Sequence, residues 1–213
     1  MRKVKYAVGA SLDGYVAAAD GSVDWLNRAT SKAKGEDFGM REFFQSIDTV
    51  LMGRKTYEIA LQMGMGKGGY PKMKNYVFSR TLPPGERDGV EFVSGDPGEL
   101  IARLRQQPGK DIWLCGGGEL AREVLKSQAL DEVILGIVPV LIGGGRSTFP
   151  PGFPETEVEL VECKQYKGGV VGLTYRVVNA STAAANAERP SPGSPKTRRA
   201  KSTSKGATRP RRR

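Results

Sequence analysis

Two strand-end sequences in this chain carry residue types suited to holding a phosphorylated ligand. In Asp111-Ile-Trp-Leu-Cys115-Gly116-Gly117-Gly118-Glu119-Leu120 an apolar strand runs into three glycines, and a helix follows at once. Without Cβ atoms the backbone there can be approached closely. The free N–H groups and positive dipole end of the next helix favour an anion such as a pyrophosphate. A second sequence of the same kind is Thr49-Val-Leu-Met52-Gly53-Arg54-Lys55-Thr56-Tyr57-Glu58. Arg54 and Lys55 follow a buried strand, where α/β folds place their ligands. Thr56 can cap the next helix or bind a phosphate oxygen. A third strand ends in Ser79-Arg80. Cations at two strand ends suit a dinucleotide with an extra phosphate, which favours NADPH over NADH.

Other chemistries are excluded by composition. The chain of 213 residues has no histidine, which removes the commonest general base and metal ligand. Its two cysteines, Cys115 and Cys163, are too few for a structural zinc site or a disulfide framework, so no metal is expected. Cys115 reads as a small core residue. No signal peptide and no apolar run of membrane-spanning length is visible, and a cytoplasmic setting is expected.

These motifs need a scaffold. Val4–Val8 reads as a first strand, followed by a polar loop over 9–21. Met40, Phe43, Phe44 and Ile47 recur at helical spacing and predict a helix over 37–47. Strands are expected at Thr49–Met52, Tyr76–Phe78, Val90–Val93, Ile112–Cys115 and Val133–Val138. Helices are expected at Lys55–Gln62, around Leu100–Leu104 and around Leu120–Leu125. Val158–Glu162 and Val170–Val177 read as a closing hairpin, and Gly64–Gly69 as a flexible loop. Strands alternating with helices imply an α/β fold: a mostly parallel sheet flanked by helices on both faces, with a C-terminal antiparallel hairpin.

Beyond Asn179 the composition turns to Ala, Ser, Thr, Pro, Lys and Arg. Residues 180–213 hold ten Lys and Arg against one acid, so nine of the ten net positive charges lie there. Such a segment cannot bury enough apolar surface to offset its chain entropy. The division expected is a folded domain over 1–179 and a disordered basic tail over 180–213. The tail suits weak, nonspecific contact with a polyanion, and it offers no aromatic to stack on bases.

Residues 1–179 resemble the dihydrofolate reductase superfamily, in its bacterial branch similar to the reductase domain of riboflavin biosynthesis. The resemblance rests on an ordered set: Ser11-Leu12-Asp13-Gly14, Trp25, Met52–Tyr57, Ser79-Arg80, Gly116–Leu120 and Pro139–Gly145. It implies a dihydrofolate reductase-like fold and NADPH-dependent reduction of a pyrimidine- or pterin-like heterocycle. The cofactor roles map onto Gly53, Arg54, Lys55, Thr56, Ser79, Arg80, Gly116, Gly117, Gly118, Glu119 and Leu120. Gly116-Gly117 maps onto a glycine pair often joined by a cis peptide, and Ser11–Gly14 onto a mobile loop that closes over the nicotinamide.

By position relative to Gly53, the family's substrate-side carboxylate falls on Asp37. Buried beside a heterocycle, it would help deliver a proton, with its pKa raised by desolvation. Glu36, nearer the apolar face on a helical wheel, is its rival. Trp25 is placed beside the substrate, and Asp13 reads as a turn former. A homodimer is implied by the branch. The sequence carries no His-x-Glu or Cys-x-x-Cys, so the zinc-deaminase half that accompanies many riboflavin-pathway reductases is not expected in it. Two alternatives stand beside this reading: a true dihydrofolate reductase, and a non-catalytic protein that associates with nucleic acid through the basic tail.

Overall fold

The computed structural model describes residues 1–64 and 69–178. The chain divides into two units, Met1–Ala180 and Ser181–Arg213. The expected disordered tail and the centre of the Gly64–Gly69 loop lie outside the described residues. Along the first unit run β1 (Val4–Ser11), β2 (Tyr15–Ala17), α1 (Asp24–Thr30), α2 (Met40–Ser46), β3 (Ile47–Gly53), α3 (Arg54–Gln62), β4 (Lys74–Phe78) and β5 (Gly85–Arg87). They are followed by β6 (Val90–Val93), α4 (Pro97–Arg105), β7 (Asp111–Leu114), α5 (Gly118–Lys126), β8 (Glu132–Val138), β9 (Arg146–Ser147), β10 (Val158–Gln165) and β11 (Val171–Val177).

Nine strands form one sheet in the order β10-β11-β8-β1-β7-β3-β4-β6-β5. The six strands from β8 to β6 are mutually parallel. Antiparallel partners close both sides: β11 and β10 beside β8, and β5 beside β6. The closing hairpin follows the sequence reading. The β5 edge and the small β2–β9 ribbon do not, because each is only two or three residues long.

Period-two alternation along the strands sends side chains to two cores. Val4, Tyr6, Leu51, Ile112 and Leu114 meet Leu100, Ile101 and Leu104 of α4 and Ala121 and Val124 of α5 on one face. Ile47, Val50, Met52, Val77 and Trp113 meet Phe43 and Phe44 of α2 and Tyr57 of α3 on the other. α4 starts where the sequence says it should: Pro97 occupies its first turn, and the Asp96 carboxylate accepts from Gly98 N at 2.8 Å.

α1, seven residues long, escaped the sequence reading, which took 9–21 as a polar loop and found no helical spacing before Met40. α2 is shorter than predicted for a stated reason. Phe38 (φ 54°) and Gly39 (φ 75°) are left-handed, so the helix cannot extend back to Asp37 and begins at Met40.

Candidate functional site

The parallel strands β1, β7, β3 and β4 end along one rim, and a cavity of about 1310 Å³ opens there. It is lined by Gly53, Arg54, Lys55 and Thr56, by Ser79 and Arg80, and by Gly116 through Leu120. Every residue assigned to a cofactor from the sequence therefore lies on one cavity wall. The two glycine-bearing turns also meet each other. A Cβ on Gly116 would lie 3.4 Å from the Thr56 side chain, and one on Gly117 3.7 Å from Thr56 Oγ1.

The glycines differ in what requires them. Gly116 (φ 65°) and Gly117 (φ 77°) occupy the left-handed region, which side-chain-bearing residues rarely adopt. The bond joining them is trans, as are all peptide bonds among the described residues, so the expected cis link is corrected. Gly118 is a packing glycine, since a Cβ there would lie 2.5 Å from Pro150 Cδ. Gly53 is required by neither cause. Its φ is −82°, and an added Cβ would meet no protein atom within 4 Å. A glycine with no internal reason, facing a cavity, suits the close approach of a ligand.

Electrostatics at this rim favour an anion. α3 and α5 both begin here, and neither N-terminus has a side-chain cap. The first turn of α3 holds no acid and carries Arg54 and Lys55, a charge order opposed to the helix dipole unless an anion lies between. Arg54 is engaged by Glu58 at 2.6 Å, whereas Lys55 and Arg80 have no ion pair among the described residues. Ser79 is 6% exposed, and its hydroxyl oxygen accepts from Leu82 N at 2.8 Å and Thr81 N at 3.2 Å. That bonding shapes the turn that presents Arg80. In α5, Glu119 occupies the first turn, where a carboxylate suits both the dipole and a hydroxyl-bearing ligand.

Two assignments need correction. Asp37 is exposed and is not among the residues lining the cavity. Its carboxylate accepts from Gly39 N at 3.1 Å, and this bond together with that from Arg41 N holds its pKa below the ordinary value, not above it. Glu36 also lies outside the cavity lining; its carboxylate accepts from Lys167 N at 3.4 Å. Trp25 is buried behind the lining residues Val138 and Val170 and does not itself line the cavity. Leu26, Asn27 and Thr30 of α1 line the cavity in its place.

The segment after β1 is tied down through Asp13. Its carboxylate accepts from Ser11 Oγ at 2.6 Å and Gly143 N at 2.7 Å, with Ile142 N at 3.2 Å. These bonds, the one from Ser11 foremost, lower its pKa. Gly14 O accepts from Thr148 N and Thr148 Oγ1, both at 2.9 Å. Asp13 thus clasps this segment to the distant Pro139–Gly145 run, more than the turn former read from the sequence.

Sequence reasoning missed the aromatic part of the lining, made by Phe43, Tyr70 and Trp113 with Cys115. One signal was present: Trp113 and Cys115 are two apart on one strand and so share a face. Tyr70, beyond a glycine-rich loop, gave none. Among the described residues no group of three His, Cys, Asp or Glu is placed to hold a metal ion, and no helix is long and apolar enough to cross a membrane.

The same architecture recurs in solved structures. A diaminohydroxyphosphoribosylaminopyrimidine deaminase/5-amino-6-(5-phosphoribosylamino)uracil reductase from Thermotoga maritima superimposes with a TM-score of 0.61 at 15% identity, over 83% of this chain and 57% of that one. A dihydrofolate reductase from Enterococcus faecalis, complexed with NADP(H), does so with a TM-score of 0.55 at 16% identity, over 83% and 97%. In sequence, protein YwjB of Bacillus subtilis (strain 168) is 35% identical over 174 residues, 82% of this chain and 97% of its own length. Residues 2–172 match the family described as the RibD C-terminal domain. With its parallel sheet, its two uncapped helix N-termini and that match, the chain belongs to the RibD C-terminal domain family.

Proposed function

We propose that the protein is an NADPH-dependent reductase acting on a flat pyrimidine- or pterin-like heterocycle. One observation carries this reading: the uncapped N-termini of α3 and α5, the cations Lys55 and Arg80 with no ion pair among the described residues, and Gly53 without an internal reason for being glycine line one cavity. Arg54, Lys55 and Thr56 would hold phosphate oxygens at the start of α3. Arg80, presented by the Ser79 turn, would take the extra phosphate that distinguishes NADPH from NADH. Gly116 and Gly117 would lie against the pyrophosphate, and Glu119 would accept from ribose hydroxyls. When bound, NADPH supplies the hydride. The protein's residues orient the two reactants and exclude water between them.

The test is NADPH consumption by the full chain, offered 5-amino-6-(5-phosphoribosylamino)uracil or its deaminase-side precursor and, separately, dihydrofolate. Turnover of a pyrimidine supports the riboflavin-type reading, and turnover of dihydrofolate alone supports a true dihydrofolate reductase. NADPH binding with neither substrate reduced would retain the cofactor site and remove both substrates. Absence of NADPH binding, with salt-sensitive binding of DNA, would favour the nucleic-acid alternative.

The remaining expectations belong to the same proposal. A cytoplasmic setting fits a dinucleotide reductase. A homodimer is supported by β10, an edge strand that leaves Val158, Leu160 and Val161 exposed. Light scattering on the full chain decides it. The basic tail serves as a weak polyanion contact, so truncation after Asn179 should leave NADPH turnover unchanged.

A further inference from the structure

The same cavity is also lined by an aromatic group built around Trp113. The Tyr70 ring lies 4.6 Å from the Trp113 ring, centroid to centroid, and Phe43 meets Trp113 edge-on at 5.4 Å. Trp113 is fixed from behind, because its Nε1 donates to Ala7 O at 2.9 Å. Tyr70 is fixed through its backbone. Tyr70 N donates to Asn75 Oδ1 at 2.8 Å, and Asn75 Nδ2 donates to Tyr70 O at 3.0 Å and to Met73 O at 2.9 Å. Asn75 is 6% exposed, and a Cβ on Gly69 would lie 2.9 Å from its Cγ. The short run from Gly69 to Asn75 therefore closes on itself and delivers one side chain, Tyr70, to the cavity.

The Tyr70 hydroxyl lies 3.3 Å from Cys115 Sγ, and Cys115 directly precedes Gly116. A thiol is a weak hydrogen-bonding group, so this hydroxyl has a poor partner inside the protein. Burial pushes the Cys115 thiol up to about 12 and raises the Tyr70 phenol as well. Both groups are neutral at working pH. No formal charge exists among Ala7, Phe43, Tyr70, Trp113, Cys115 and Gly116, all of which line the cavity. Lys5, also at the lining, is held by Asp111 at 2.8 Å.

We propose that Tyr70 is the specificity-determining residue of the substrate end: its ring and that of Trp113 wall a flat, uncharged heterocycle, and its hydroxyl exchanges the Cys115 thiol for a carbonyl oxygen or ring nitrogen on the edge of that heterocycle. The inference rests on the reductase reading, since it takes the charged wall as the cofactor's. It goes beyond that reading by assigning substrate recognition to a neutral phenol beside the glycine turn. An anionic substituent on the edge facing Tyr70 is selected against, because nothing there compensates its desolvation. Asn75 is a positioning residue that acts only through Tyr70.

The experiment uses the full chain, first titrated with NADPH and then, saturated with NADPH, with pterin and separately with pterin-6-carboxylate, by calorimetry. Wild-type protein should bind pterin at least about tenfold more tightly than the carboxylate. Tyr70→Phe keeps the ring and removes the hydroxyl, and it should weaken pterin binding about tenfold. Its NADPH affinity should stay unchanged, which also reports that it is folded. Cys115→Ser, which gives the hydroxyl a better internal partner, should weaken pterin binding in the same direction. Equal pterin affinity in wild type and Tyr70→Phe overturns the proposal, and so does failure of wild-type protein to bind pterin once NADPH is bound. Failure to bind NADPH overturns the reading beneath it instead.

Discussion

The two ends of the parallel sheet treat charge in opposite ways. At the end where the strands begin, cations are partnered by carboxylates. The Arg2 side chain is 4% exposed and is paired with Asp48. It also donates to Lys110 O at 2.6 Å, Thr49 Oγ1 at 2.6 Å and Leu104 O at 3.3 Å. Lys3 pairs with Glu132, Lys5 with Asp111 and Arg105 with Asp131. At the end where the strands finish, Lys55 and Arg80 face the cavity with no ion pair among the described residues, beside two helix N-termini that lack caps. Charge neutralised inside the protein can only stabilise it. Charge left open and backed by helix dipoles holds an affinity that an external anion must complete.

That contrast breaks most visibly at Arg2. Arg2→Ala removes the guanidinium from Asp48 and from the carbonyls of Lys110 and Leu104 and should cost roughly 2 kcal/mol, below the loss typical of a fully buried pair because the Asp48 side chain is 35% exposed. Urea unfolding measures it. NADPH affinity should not change, because the site is at the other end of the strands. Arg80→Gln should do the reverse. It should weaken NADPH by about tenfold and NADH hardly at all, with stability inside about 0.5 kcal/mol. A loss of stability in Arg80→Gln equal to that in Arg2→Ala would erase the distinction. Gly53→Ala sharpens it further. The backbone accepts alanine and the space is open, so the fold should tolerate the change while NADPH binding weakens.

Why one end was legible in the sequence and the other was not follows from chain distance. Strand, turn and helix start are contiguous, so Gly53–Thr56 and Gly116–Leu120 could be read locally, and the fold places both on one wall. The Arg2–Asp48 pair spans 46 residues and the Arg105–Asp131 pair 26, and nothing local in the sequence announces either. The same limit hid Tyr70, whose relation to Cys115 spans 45 residues. Trp25 was misplaced because a lone tryptophan gives no helix face, and α1 turns it inward. The fold class survived such errors because it rests on alternation and strand–helix order, which sum over many residues.

A smaller effect separates the clasp at Asp13 from both ends. Its carboxyl pKa is lowered below 3.8 by Ser11, Gly143 and Ile142, all of which bond the ionised form. A depressed folded pKa contributes stability above the unfolded value and loses it as pH falls through the folded one. The melting temperature of Asp13→Asn should therefore lie below that of wild type at neutral pH. The difference should shrink as pH falls below about 4 and the wild-type carboxyl takes up its proton. A gap that stays constant on acidification would mean that the charge of Asp13 contributes nothing to the clasp.

The smallest change is expected at Asp37, and its smallness is the point. Counting back from Gly53 places a carboxylate there, and a buried acid would hold a raised pKa. The left-handed turn at Phe38 and Gly39 instead leaves Asp37 before the helix, exposed, with its charge bonded to backbone N–H groups. A carboxylate so held is a poor proton donor near neutrality, and solvent screens what field it has. Asp37→Asn should keep kcat and KM for the substrate identified by NADPH consumption within about twofold, and the pH profile should not move. A large fall in kcat would show that the 37–39 turn rearranges to bring the carboxylate to bound substrate. That result would hand back to Asp37 the polar contact assigned to Tyr70.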